Sequence, residues 1–201
     1  MRKNLITSIL MTMVTTILLG LVYPLVVTAA AQLLFPSKAN GQLIRQNGAI
    51  IGSRIIGQPF TGPEYFDSRP SAAGSGYDAT ASGASNFGPT NRQLIERVDD
   101  ATKALHEENP TGPVPIDLVT TSGSGLDPDI TPAAALFQVP IVAKQRHISE
   151  SDLRALVERH IKGRTFGVLG EPRVNVLELN LALDHRFPMN QSLEHSTEHA
   201  Q

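Results

Sequence analysis

LITSILMTMVTTILLGLVYPLVV, residues 5–27, is the stretch that decides the architecture of this chain. Neither a charged side chain nor a histidine interrupts the sequence between Lys3 and Lys38. A helix rises about 1.5 Å per residue, so roughly 20 apolar residues cross a hydrocarbon core about 30 Å thick. One such crossing is expected, because no second stretch of this kind follows. The fold class read from the sequence is α+β. A single N-terminal transmembrane helix leads into one soluble domain with a short β-sheet and about three helices.

On the N-terminal side, Arg2 and Lys3 precede the apolar run, and the positive-inside rule keeps that end in the cytoplasm. The expected plan is a cytoplasmic N-terminus at 1–4, an anchor at 5–35, an extracytoplasmic domain at 36–184 and a polar, frayed tail at 185–201. The location is then a plasma or inner membrane, crossed once. A cleaved signal peptide is the rival reading, since Ala29, Ala30 and Ala31 offer small residues for cleavage. A signal-peptide core runs about 7–15 residues, shorter than this one. Within the anchor, Ser8, Thr12, Thr16 and Gly20 recur every four residues and form one small, partly hydroxylic stripe. Such stripes let helices approach closely in lipid, so these four residues are candidates for docking on another membrane helix. The alternative is that the hydroxyls bond back to their own helix carbonyls.

The remainder bounds the function by exclusion. Taking Arg2 and Lys3 from the 17 basic residues leaves 15 against 19 acidic ones, a balance of −4 that argues against a nucleic-acid surface. With no cysteine there is no thiolate nucleophile and no disulfide framework. The local pattern supplies the elements. Asn47-Gly48 between apolar pairs predicts a β-hairpin, with 54–56 continuing as strand-like sequence. Residues 59–91 hold many Gly, Ser and Pro and read as a long loop, which Tyr65, Phe66, Tyr77 and Phe87 could pin to a surface. Helices are expected over 92–108, from the Thr131-Pro132 start, and from the Ser149 capping box. Pro140 should kink or restart the second of these. Residues 174–184 alternate Leu177, Leu179, Leu181 and Leu183 with polar or small residues, which reads as a strand; a terminal helix is the alternative.

No catalytic constellation emerges. The Gly-rich runs lack the Lys of a phosphate-binding loop, and the spacing around Ser85 misses the nucleophile elbow. Ser122 or Ser124 could be combined with Asp127 and His147 or His160, but Ser-Gly repeats first of all form turns. Asp127 and Asp129 do not complete a calcium loop, and His195 with His199 lie in the polar tail. From the residues alone the chain reads as an accessory protein that binds no cofactor directly. An anchored extracytoplasmic serine hydrolase and a stand-alone binding module are the alternatives.

Several longer motifs carry a resemblance. They are GLVYPL at 20–25, FP at 35–36, ANG at 39–41, GS at 52–53 and IGQ at 56–58. YFDSRPSA at 65–72, SGASNFGP at 82–89, DLVTTSGSGLDP at 117–128 and GEPRVNVL at 170–177 follow in order. In these the chain resembles the KdpC family, the C subunits of bacterial high-affinity, potassium-transporting Kdp P-type ATPases. Asp129 stands where that family often has His, Gln42 where it has Ser, and Ala84 where it has a second Gly. The resemblance implies a subunit without catalytic residues that stabilises a complex handling ATP and potassium. Its implied partners are a channel-like potassium-binding subunit, a P-type subunit that hydrolyses ATP, and the lipid bilayer. It further implies a chaperone-like role in raising the ATP affinity of the hydrolysing subunit, which a domain outside the cytoplasm can exert only indirectly. The expected partner-contact or loop residues are Tyr65, Phe66, Arg69, Asn86, Ser122, Ser124, Asp127 and Asp129.

Overall fold

A computed structural model describes residues 2–189. The proposed tail 190–201, with His195 and His199, lies outside the described residues. The chain divides into two compact units that part between Ser53 and Arg54.

The first unit begins with a continuous helix of 33 residues, Arg2–Leu34, none of whose apolar window is buried. At about 1.5 Å per residue it is about 50 Å long, more than enough to cross a bilayer. It consists of α1 (Arg2–Ile17), a π-helical turn (Leu18–Val22) and α2 (Tyr23–Leu34). The wide turn has a local cause. Pro24 has no N–H to donate, and its ring crowds the carbonyl four residues earlier, at Gly20. The Tyr23 N–H reaches back to the Leu18 carbonyl, which lets the helix pass this point unbroken. A short α3 (Pro36–Ala39) leads to the antiparallel hairpin of β1 (Leu43–Gln46) and β2 (Ala49–Ser53). Asn47 and Gly48 both take left-handed φ, 50° and 82°, as a two-residue hairpin turn of this hand requires.

The second unit starts with a departure from the expected pattern. Strand β2 stops at Ser53, and 54–56 form a turn rather than more strand. The Gly57 N–H instead donates to the Leu126 carbonyl. A Cβ at Gly57 would stand 2.6 Å from the Asp127 carbonyl oxygen, so only glycine permits this approach. No helix or strand forms between Ser53 and Arg92.

Helix α4 (Arg92–Glu108) begins where Asn91 caps it, accepting from the Gln93 and Leu94 N–H groups. A 3-10 turn (Ile116–Leu118) and β3 (Asp129–Ile130) precede α5 (Pro132–Arg146). Thr131 caps α5, with Pro132 at its first position. The helix does not restart at Pro140. Burial of Ala134, Ala135 and Phe137 before that residue, and of Val142 and Ala143 after it, holds both halves on the core. Helix α6 (Glu150–His160) opens on the Ser149 cap. Strands β4 (Ile161–Lys162) and β5 (Arg173–Asn175) follow, and with β3 they form an antiparallel sheet in the order β3-β5-β4.

The strand expected over 174–184 is largely a helix. Only Val174 and Asn175 belong to β5; α7 runs Val176–Arg186, capped by the Asn175 side chain on the Glu178 N–H. Its buried face includes Val176, Leu179, Asn180 and Leu183, a helical spacing. Asn180 disguises that face in the sequence, because a polar residue occupies one of its core positions. Helix α7 also takes in His185 and Arg186, two residues past the expected end of the domain at 184. The core gathers Phe66, Ile130, Val139, Val142, Leu153, Val157, Val174, Leu179 and Leu183 from α5–α7, the sheet and the long loop.

Candidate functional site

The long loop 58–91 is tied down by polar side chains that reach out of the helices. Gln138 on α5 accepts from the Asp67 N–H at 2.7 Å and donates to the Asp67 carbonyl at 3.3 Å. Arg146, its side chain almost wholly buried, pairs with Asp184 at 2.6 Å and donates to the carbonyls of Glu64 and Phe187. Its guanidinium also lies over the Tyr65 ring at 4.7 Å, and the Tyr65 hydroxyl donates to Asp184. Crowding by protein and the neighbouring Asp184 carboxylate raise the Tyr65 pKa. Phe66 has no exposed surface. It lies on the long loop, as expected of this group of residues, and packs in the core rather than on the surface.

Farther along, the loop meets the 117–131 segment. Ser71 donates to the Gly125 carbonyl at 2.6 Å, and the Tyr77 hydroxyl donates to the Arg69 carbonyl at 2.6 Å. Burial pushes the Tyr77 pKa to about 12, with the Asp67 carboxylate adding to the effect. Ser82 and the Gly83 N–H both donate to the Ser124 carbonyl. The Ser124 hydroxyl accepts from the Leu126 N–H and lies 3.4 Å from that of Ser122. These are the contacts of a tight turn. His160 is bonded instead to the Leu156 carbonyl on its own helix, and His147 ends α5 in a left-handed conformation. Asn86 is exposed and left-handed, with φ 53°.

A cavity of about 280 Å³ brings together Arg69, Asp117, Asp127, Asp129, Glu171 and Arg173. Arg69 reaches Asp127 at 3.4 Å and the Thr121 carbonyl at 3.4 Å. Arg173 pairs with Asp129 at 3.0 Å, and Asn175 donates to the other Asp129 oxygen at 3.0 Å. Asp117, buried, accepts from the Thr131 N–H. The two aspartates singled out in the sequence therefore share one cavity, each partnered by an arginine. The sequence reading named Arg69 but missed Arg173, which lies 46 residues from Asp127 and meets the site only through the β3–β5 pairing. Among the described residues, no group of three His, Asp or Glu side chains is placed to hold a metal ion.

Asp67 occupies a different place, between two cavities of about 280 and 340 Å³ beneath α4. Asp67 keeps exposed surface, yet the protein around its carboxylate partly desolvates it. That desolvation, helped by the Glu108 carboxylate, raises its pKa to about 6. In the long apolar helix, Ser8 donates to the Leu5 carbonyl and Thr12 to the Ser8 carbonyl, while Thr16 and Gly20 continue their stripe. The Ser8 and Thr12 hydroxyls are thus satisfied within the helix, and the small profile of the stripe remains.

The family described as KdpC: K+-transporting ATPase, c chain, matches residues 5–185. A protein called Potassium-transporting ATPase KdpC subunit from Koribacter versatilis is 64% identical over 189 residues, covering 94% of this chain and 98% of the relative. Proteins of the same name from Rhodopseudomonas palustris and Acidobacterium capsulatum are each 54% identical, over 92% and 90% of this chain and 98% of each relative. With matches that take in the apolar helix and the folded unit alike, the chain belongs to the KdpC family of potassium-transporting ATPase subunits.

Proposed function

We propose that this chain is a non-catalytic accessory subunit of an ATP-driven potassium uptake complex, which it assembles and stabilises. The observation that carries this reading is the extent of the family match, 5–185, which includes both the span and the domain. The exposed apolar helix is the membrane anchor, crossing once with Arg2 and Lys3 on the cytoplasmic side. The domain stands outside, where it meets a channel-like potassium-binding subunit. A P-type subunit hydrolyses ATP on the other side of the membrane, so any gain in its ATP affinity is transmitted indirectly through the assembly. The stripe of Ser8, Thr12, Thr16 and Gly20 docks the anchor on a partner helix. Tyr65, Arg69, Asn86, Ser122, Ser124, Asp127 and Asp129 mark the face of the domain, over the outer mouth of the channel-like subunit.

The experiment is a topology test on whole cells. Ser75 is exposed on the long loop and the chain has no cysteine, so Ser75→Cys gives one reactive position. A membrane-impermeant thiol reagent should label it in intact cells. Protection until lysis would put the domain inside and make direct contact with ATP the leading account. Purification in mild detergent should bring the potassium-binding and ATP-hydrolysing subunits with the chain. Their absence would favour a stand-alone module.

A further inference from the structure

Strands β4 and β5 are the stems of a hairpin whose tip, 164–171, stands clear of the core. Phe166 is 88% exposed, with Val168 and Leu169 largely exposed beside it. Such a tip is usually floppy or polar, and this one is neither. The Thr165 and Leu169 N–H groups exchange bonds with each other's carbonyls at 2.8 and 2.9 Å, and the Val168 N–H adds a bond to Thr165. Arg164 clamps Glu171 with two bonds, at 2.9 and 2.8 Å.

The turn itself carries an internal comparison. Phe166 and Gly167 have φ of 55° and 77°, close to the 50° and 82° of Asn47 and Gly48 in the other hairpin. Asn-Gly suits that turn, because Asn tolerates the left-handed region and Gly is indifferent to it. A bulky aromatic there is strained, and strain of this sort persists where a side chain must be presented. Here the presented group is a bare phenyl ring.

We propose that this hairpin tip is a pre-formed apolar plug that docks into an uncharged apolar socket on another protein subunit of the same transport assembly. The inference rests on the functional reading above and names the element that makes the contact. Charge favours a protein socket over a lipid surface. The cations of the stem are already paired, Arg164 with Glu171, Lys162 with Glu178 and Arg173 with Asp129, so none is free for a lipid phosphate. Backbone groups point the same way. The Phe166 N–H and the carbonyls of Phe166, Gly167 and Val168 have no partner among the described residues, and hydrocarbon would leave them bare where a protein socket can bond them.

The test is Phe166→Asn in the full chain, co-expressed with the potassium-binding and ATP-hydrolysing subunits. Because Asn fits the turn, thermal unfolding should stay the same or move upward. Recovery of the partners should fall about ten-fold, the scale of a lost anchor residue. A photoreactive phenylalanine analogue at position 166 should form an adduct with one of those two subunits. Undiminished recovery with Phe166→Asn overturns the plug and leaves the functional reading intact. An adduct with lipid or with a second copy of this chain also overturns it. Failure of the native chain to recover either subunit removes the functional reading and the plug with it.

Discussion

Asn180 holds both backbone polar groups of Phe66: its amide oxygen accepts from the Phe66 N–H at 2.9 Å, and its amide nitrogen donates to the Phe66 carbonyl at 2.9 Å. Residues 114 positions apart are thereby joined as if by a strand pair, though one lies in a loop and the other in α7. Both are buried, so water cannot take over either bond. Asn180→Ala should lower stability by about 2–4 kcal/mol, combining a small cavity with an unsatisfied buried amide. Denaturant unfolding of the detergent-solubilised chain measures it. Limited proteolysis should then cut in the 58–91 loop first, and an unchanged midpoint would show that the loop holds without this clamp.

Asp67 gives the domain an acid-sensitive component whose sign is opposite to the usual carboxylate. Its folded pKa, about 6, lies above the ordinary value of 3.8, so the native state binds the proton more tightly than the unfolded chain does. Its contribution to stability is fully present below pH about 4 and fades as the pH rises to about 6. Asp67→Asn should therefore stabilise the protein at pH 7 by about 1 kcal/mol, allowing for the solvent that reaches the carboxylate. The gain over wild type should vanish by pH 4. Unfolding midpoints of both proteins across pH 4–8 provide the check, and a gain independent of pH would rule out titration of Asp67 as its source.

At Gly57 the close approach to the Asp127 carbonyl leaves no room for a methyl group. Gly57→Ala should displace the 117–129 segment and destabilise the domain by about 1–3 kcal/mol. Thermal unfolding reads the loss. A neutral result would mean that the backbone gives way there without cost.

The pairing of Asp127 with Arg69 and of Asp129 with Arg173 changes what their removal should do. Neutralising both as Asn takes the partners from two guanidinium groups and moves the charge balance of the cavity's six charged residues from −2 to neutral. If this face borders the potassium path, uptake should weaken at low potassium and low ionic strength, and about 0.15 M salt should screen the effect. Unchanged apparent potassium affinity in an assembled double mutant would remove these residues from the path.

For the anchor, Thr16→Leu with Gly20→Leu should reduce partner recovery by about ten-fold if the stripe is the contact, since bulk there separates the backbones. Retained stoichiometry would move the contact to another face.

Much of this protein was legible because it depends on neighbours in the chain. The apolar run of 5–27 needed no tertiary contact to be recognised as a candidate span, since its length and composition alone qualify it and none of its apolar window is buried in the rest of the fold. Asn47-Gly48, Asn91, Thr131-Pro132 and Ser149 act within a few residues of themselves, so the turn and the helix starts they mark appear where the sequence puts them. Motifs in order along the chain likewise pointed to the family.

Tertiary structure decided the rest. Whether 174–184 became strand or helix turned on Asn180, a polar residue whose burial is intelligible only once the Phe66 backbone lies against it. Phe66 read as a pin for the long loop, and the core supplied the place where it packs. Arg173 and Arg146 acquired their partners by chain crossings that no local pattern records. The physical reason is range: caps and turns are settled by bonds between residues close in sequence, whereas a buried polar group is settled by what the fold brings to it from a hundred residues away.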